Sequence, residues 1–155
     1  LMMKPFDVMD LGRMALVVDP QGAPFAVWQP KANPGVGVRD ESGTLCWNEL
    51  ATRDVEAARK FYASLFGWAP KVSPEYTEWH VGSKAIGGLM KASAPEIPPH
   101  WLVYFMVDDV DASTKKAKSL GARTYVEPMD IPKVGRFSVV ADPHGASFAL
   151  FKPSM

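Results

Sequence analysis

The sequence lacks the features that mark secreted, membrane-bound or nucleic-acid-binding proteins. Its single cysteine, Cys46, cannot form an internal disulfide, which is typical of proteins from a reducing compartment. Its longest apolar runs, such as 14–18 and 101–107, are far shorter than the roughly 20 apolar residues that cross a bilayer. Lysine plus arginine and aspartate plus glutamate both number 17, so no net charge attracts nucleic acid. We therefore expect a soluble, cytoplasmic protein without nucleic-acid or membrane partners.

The two ends of the chain carry the same sequence pattern. Residues 12–30 (GRMALVVDPQGAPFAVWQP) match residues 135–153 (GRFSVVADPHGASFALFKP) at ten of nineteen positions. Each copy contains an apolar run, an Asp-Pro-x-Gly turn and a second apolar run, which predicts a β-hairpin. Because 155 residues suffice for one ordinary domain, the N-terminal hairpin is predicted to be an appendage to it.

After the N-terminal hairpin, the order strand, helix and three strands is predicted twice. Residues 31–44 are rich in glycine, proline and polar residues, which predicts a linker. Asp54 is placed to cap a first helix that ends at Gly67, and Asp109 or Asp111 is placed to cap a second that ends at Gly121. The predicted strands are 45–53, 68–72, 76–81, 84–91, 101–107, 123–127, 136–141 and 146–152.

The spacing of apolar residues also predicts which helix faces are buried. The predicted core stripe of the first helix contains Val55, Ala58, Phe61, Tyr62, Leu65 and Phe66, and that of the second contains Val110, Thr114, Ala117 and Leu120. The predicted fold class is therefore α+β, with two βαβββ modules that supply eight strands, plus an N-terminal β-hairpin.

These elements resemble the vicinal-oxygen-chelate superfamily, which contains glyoxalases, bleomycin resistance proteins and dioxygenases. The resemblance rests on Phe-Gly-Trp after the first helix, on Val-Asp-Asp-Val-Asp-Ala and Asp-Pro-x-Gly-Ala in the second module, and on 46–54 (CWNELATRD), which is similar to the glyoxalase-like branch. The resemblance implies that the strands of 45–153 form a mixed, cup-shaped sheet for a small ligand or a metal, with helices on its outer face. Because members of that branch often hold tandem domains, it also implies that 1–30 is the remnant of an upstream copy.

Metal-dependent members of this family take His or Gln from the first strand of each module and Glu from the last. Counting seven residues back from the helix caps gives Trp47 and Leu102. Counting four past the turn glycine gives Ala149, and Ala26 in the N-terminal copy, while residues 85–92 contain no carboxylate. None of these side chains offers a lone pair to a divalent cation. We therefore expect no metal cofactor, and a divalent metal is the alternative.

Strand alternation predicts an aromatic and apolar face where the metal ligands would lie. Its predicted ligand-binding residues are Trp47, Glu49, Leu102, Tyr104, Met106, Ala149 and Phe151. Glu49 is the candidate catalytic residue, as a general base or as an anchor for a cationic ligand. A purely structural hydrogen bond to Tyr104 or to a strand neighbour is the competing interpretation. Large aromatic residues such as Trp47 and Phe151 more often fill a core than contact a ligand.

Three functions remain open at this point. The leading hypothesis is a metal-free cup that binds a small organic molecule. The first alternative is a metal-dependent lyase, isomerase or dioxygenase with unconventional ligands such as Glu49 and His80, although each of the three histidines is expected to have a surface or local structural role. The second is a truncated tandem protein that acts through an oligomeric interface. Because drug-sequestering members of this family usually dimerise, the resemblance implies a homodimer, and the N-terminal strands offer an additional pairing edge.

Overall fold

A computed structural model describes residues 2–154, which form eleven strands and two helices. The strands are β1 (Met3–Val8), β2 (Gly12–Val18), β3 (Pro24–Pro30), β4 (Leu45–Thr52), β5 (Ala69–Val72), β6 (Thr77–Val81), β7 (Lys84–Lys91), β8 (His100–Met106), β9 (Arg123–Ile131), β10 (Gly135–Ala141) and β11 (Ser147–Pro153). The helices are α1 (Val55–Phe66) and α2 (Val110–Ser119). Neither helix is long and apolar enough to span a membrane within this described range.

The strands form two sheets, which confirm the predicted α+β class. Strands β4 to β11 form one mixed eight-stranded sheet in the order β5-β6-β7-β4-β8-β11-β10-β9. The predicted N-terminal hairpin is a three-stranded sheet instead, in the order β1-β2-β3. The sequence prediction missed β1 because its apolar residues are interrupted by Lys4, Pro5 and Asp7. Likewise, β9 extends to Ile131, four residues beyond its predicted end.

The repeat also includes β1, because equivalent side chains form the same contact in both copies. The Arg13 guanidinium donates to the Asp7 carboxylate at 3.1 Å, and Arg136 makes the equivalent bond to Asp130 at 3.1 Å. These pairs join β2 to β1 and β10 to β9, which are antiparallel neighbours in both copies. The N-terminal sheet therefore reproduces the last three strands of the second module, rather than the last two.

Both helices begin where the sequence predicts. Asp54 accepts a hydrogen bond from the Ala57 amide, and Gly67 closes α1 in a left-handed conformation with φ of 70°. Asp109, one of the two predicted candidates, caps α2. The predicted stripes are wrong at three positions, because Leu65, Phe66 and Leu120 are 49%, 39% and 69% exposed. Leu65 and Phe66 are the last two residues of α1, and Leu120 is the C-cap of α2.

The chain folds into two compact units. The first consists of the chain up to Gly37 together with Asn48–Trp101, and the second consists of Val38–Trp47 and the chain from Leu102 onward. The core of the first unit is built on the buried residues Ala23, Leu50, Ala58, Tyr62, Trp79 and Leu89. In the second unit, the buried hydroxyls of Thr114 on α2 and Ser138 on β10 are 2.7 Å apart, which joins that helix to its sheet.

The N-terminal sheet is held to α1 within the first unit. The Gln21 side chain accepts from the Asp54 amide and donates to the Asp54 carbonyl, both at 2.7 Å. The Tyr62 hydroxyl donates to the Asp19 carboxylate at 3.0 Å, and both residues are buried. The Asp-Pro-Gln-Gly turn of the repeat therefore anchors the N-terminal sheet by polar contacts as well as by the burial of Ala23.

Candidate functional site

Strand register identifies the position in the first module that corresponds to Ala149. In the second module, Ala149 pairs with Tyr104, two residues after Leu102. In the first module, the residue two after Trp47 is Glu49, which pairs with Gly88 on β7. Both pairings are parallel, so Gly88 occupies the place that Ala149 occupies in the second module. Sequence counting alone could not locate this position.

The residues at the four metal-ligand positions do not fit a divalent cation. They are Trp47, Gly88, Leu102 and Ala149, and none carries a carboxylate, imidazole or thiolate. Across residues 2–154, no group of three or more His, Cys, Asp or Glu side chains is arranged to hold a metal ion. Glu49 and His80, the predicted unconventional ligands, thus belong to no such group.

Six of the seven predicted ligand-binding residues come together in the second unit. Leu102, Tyr104 and Ala149 are buried, and Trp47, Met106 and Phe151 are half-buried against them. The Tyr104 and Phe151 rings meet edge to face, with centroids 6.2 Å apart. This cluster is apolar, as predicted, and Trp47, Met106 and Phe151 remain partly exposed in it.

Cys46 belongs to the same cluster. It is buried, and its thiol lies 3.4 Å from the Tyr104 carbonyl oxygen. Burial raises the pKa of this thiol to about 11, with the nearby Asp40 carboxylate as a smaller cause. Because the thiolate is the nucleophilic form, Cys46 is unsuited to nucleophilic chemistry near neutral pH.

Glu49, the seventh predicted residue, lies in the first unit and has a partner that the sequence did not reveal. The Tyr76 hydroxyl donates to Glu49 Oε2 at 2.8 Å. To reach it, the Tyr76 side chain lies directly over Gly88, where any Cβ would collide with the phenol. A glycine inside a strand is a sequence signal for such a close approach, and Gly87-Gly88 was the available clue.

The three histidines make local contacts, as predicted. His80 Nε2 lies 2.9 Å from the Glu78 carboxylate. This hydrogen bond lowers the pKa of Glu78, as does the Lys71 ammonium to a smaller extent. His100 Nδ1 lies 2.8 Å from the Pro98 carbonyl oxygen, and the His144 amide donates to Asp142 within the second repeat turn.

An aromatic cavity of about 410 Å³ lies in the first unit. Its lining consists of Phe25, Ala26, Asn48, Tyr62, Phe66, Trp68, Ile86, Gly87 and Trp101. The sequence prediction missed it because the pattern of α1 assigned Phe66 to the core. The N-terminal sheet contributes Phe25 and Ala26 to this lining, and no periodicity in the sequence indicates that contact.

Solved structures share this fold. The Mn(II)-bound glyoxalase from Novosphingobium aromaticivorans superposes with a TM-score of 0.53 at 18% sequence identity, covering 71% of this chain and 38% of that chain. At this identity the similarity establishes the architecture alone. The structure thus defines a protein of the vicinal-oxygen-chelate fold.

The sequence places the chain in a family. The model of the Glyoxalase/Bleomycin resistance protein/Dioxygenase superfamily matches residues 44–150, and this chain belongs to that superfamily. The glyoxylase-named protein CFP32 of Mycobacterium tuberculosis is 41% identical over 99% of this chain and 61% of its own length. The anthracycline biosynthesis protein DnrV of Streptomyces peucetius is 39% identical over 97% of this chain and 56% of its own length. The chain thus spans about three fifths of these relatives.

Proposed function

We propose that this protein binds a small, largely aromatic organic molecule without using a metal. The main support for the proposal is that the four metal-ligand positions are occupied by residues without metal-binding groups. These residues are Trp47, Gly88, Leu102 and Ala149. An apolar surface with few polar groups is the usual lining of a small-molecule site. We propose that the half-buried residues of the second-unit cluster, Trp47, Met106 and Phe151, contact the ligand.

The relative DnrV supports an aromatic ligand, because its name places it in anthracycline biosynthesis. The second candidate function is that of a metal-dependent lyase, isomerase or dioxygenase, and the glyoxylase name of the relative CFP32 supports an enzymatic role. Glu49 is the candidate catalytic residue under that proposal, as a base whose carboxylate is positioned by Tyr76. The lack of metal donors at the four ligand positions favours the binding function over the metal-dependent one.

Titration with a fluorescent anthracycline and, separately, with MnCl₂ tests the proposal. We expect the anthracycline to bind and Mn²⁺ not to bind at stoichiometric levels. Phe151→Leu should weaken anthracycline binding about 3- to 10-fold, the value of one aromatic contact. Phe148→Leu is the matched control, because strand alternation places Phe148 on the opposite face of β11, where its ring meets Phe105.

Two results would overturn this assignment. Stoichiometric Mn²⁺ uptake that Glu49→Gln abolishes would establish the metal-dependent alternative. Equal losses of anthracycline affinity in Phe151→Leu and Phe148→Leu would show that the second-unit cluster is not the binding surface.

A homodimer, a cytoplasmic location and the assignment of residues 1–30 to an upstream tandem copy of the domain remain parts of the proposal. The dimer is supported by the outer strands β1 and β3 of the N-terminal sheet and by the exposed side chains Met3 and Phe6. Sedimentation equilibrium of the wild-type chain measures this state directly, and a monomer at all concentrations would contradict it.

A further inference from the structure

We propose that the aromatic cavity of the first unit is a second binding site, for a flat heteroaromatic molecule with a lactam edge. This site is separate from the second-unit cluster and goes beyond the proposed function. Its volume of about 410 Å³ lies within the range of sites that bind small molecules.

Five aromatic rings line the cavity, namely Phe25, Tyr62, Phe66, Trp68 and Trp101. Trp68 stacks on Phe66 with centroids 4.8 Å apart and on Tyr62 with centroids 5.9 Å apart. Trp101 meets both Tyr62 and Trp68 edge to face, at 5.3 Å and 6.3 Å. Phe66 is 39% exposed, so part of its ring is available to a ligand. Such walls select a flat aromatic partner, because aromatic faces stack favourably on one another.

A buried hydrogen-bond chain holds these walls in place. The Trp101 indole N–H donates to the Tyr62 hydroxyl at 3.0 Å, and that hydroxyl donates to Asp19 at 3.0 Å. Asp19 belongs to the turn between β2 and β3, and Phe25 and Ala26 on β3 complete the lining. The N-terminal sheet is therefore part of the site, because it supplies lining residues and is hydrogen-bonded to α1.

Asn48 and Gly87 give the cavity a polar side. Asn48 lies on β4 and is one of the lining residues, and it carries the primary amide among them. At Gly87, a Cβ would lie 2.8 Å from the Asn48 carbonyl oxygen, so only glycine permits this close approach of β7 to β4. A primary amide presents a donor and an acceptor side by side, which matches the N–H and C=O of a lactam.

The test uses carbostyril, a two-ring lactam, and its N-methyl derivative, which lacks the N–H donor. Titration calorimetry and ligand-observed NMR on the full chain measure both affinities. We expect carbostyril to bind more tightly than the N-methyl compound, and Asn48→Leu to weaken carbostyril binding about 3- to 10-fold and to abolish that preference. Phe66→Ala should weaken both compounds at least about 5-fold through loss of its ring face.

Leu65→Ala is the matched control for Phe66→Ala. Leu65 precedes Phe66 on α1, is similarly exposed and does not line the cavity, so its replacement should leave both affinities unchanged. Circular dichroism verifies that each variant is folded. Phe151→Leu should change anthracycline binding and leave carbostyril binding unchanged, which separates this site from the second-unit cluster.

The proposal is overturned if carbostyril does not bind at millimolar concentration, or if Asn48→Leu keeps the preference over the N-methyl compound. It is also overturned if Phe66→Ala converts a dimer to a monomer while carbostyril fails to compete with dimer formation. A second copy of the chain would then occupy the cavity.

Discussion

Replacing Tyr62 with Phe tests whether the N-terminal sheet is structurally integral to the first unit. Tyr62 is fully buried, and its hydroxyl both donates to Asp19 and accepts from Trp101. The variant keeps the ring, so the aromatic packing around residue 62 is preserved. It removes one hydrogen bond to a buried carboxylate and leaves the Trp101 N–H without its acceptor.

We expect the free energy of unfolding to fall by about 2–3 kcal/mol, the cost of losing a buried bond to a charged group. For a chain of 155 residues, this corresponds to a melting temperature lower by about 5–10 °C. Urea denaturation followed by tryptophan fluorescence gives the midpoint and the slope. Tyr125→Phe is the control, because Tyr125 is 62% exposed and its hydroxyl is solvated in both states.

The repeat provides a second comparison. Asp19 and Asp142 accept the same two turn hydrogen bonds, at 2.8 Å and 2.9 Å in each copy. Asp19 is buried beneath Tyr62, whereas Asp142 is half-buried at the other end of the chain. Asp19→Asn should therefore destabilise the protein more than Asp142→Asn.

The reasoning about Tyr62 would be refuted if Tyr62→Phe lowered the free energy of unfolding by less than about 0.5 kcal/mol, which is the usual range for surface substitutions.

Two further predictions concern single side chains. Because the folded-state pKa of Cys46 is about 11, above the ordinary thiol value, the thiol should resist iodoacetamide at pH 8 until the protein is unfolded. Equal alkylation rates in native and urea-unfolded protein would contradict this protection of the thiol. The raised pKa also means that the contribution of Cys46 to the free energy of unfolding is present below pH 9 and declines as the pH rises toward 11. Gly88→Ala should displace Tyr76 and break its bond to Glu49, which should shift a tyrosine absorbance band that is absent from Tyr76→Phe. A Gly88→Ala crystal structure with the Tyr76–Glu49 bond intact would show that the glycine is not required.

Local sequence signals determined most of the fold. Asp54 and Gly67 bracket α1 as predicted, because capping depends on a few adjacent residues and their backbone angles. The ten identities between 12–30 and 135–153 predicted two copies of one hairpin, and both form with the same turn bonds. The sequence was less informative about β1, because alternating polar residues on an outer strand resemble a loop.

The candidate site depended more on tertiary structure. The apolar cluster of Trp47, Tyr104 and Phe151 followed from strand alternation and the family resemblance. The Tyr76 contact did not, because it joins a turn to a strand 27 residues away over a glycine. The exposed position of Phe66 also escaped prediction, since helical periodicity gives the direction of a side chain and not the extent of the surface that covers it.

The sequence by itself determined the α+β modules, the superfamily and the loss of donors at Trp47, Leu102 and Ala149, because these depend on residue type at counted positions. Tertiary structure decided that Gly88 is the fourth position, because register is a property of paired strands. It also decided that the N-terminal sheet is bonded to α1 through Asp19 and closes an aromatic cavity. Contacts between segments distant in the chain arise from packing and side-chain hydrogen bonding, which no local pattern specifies.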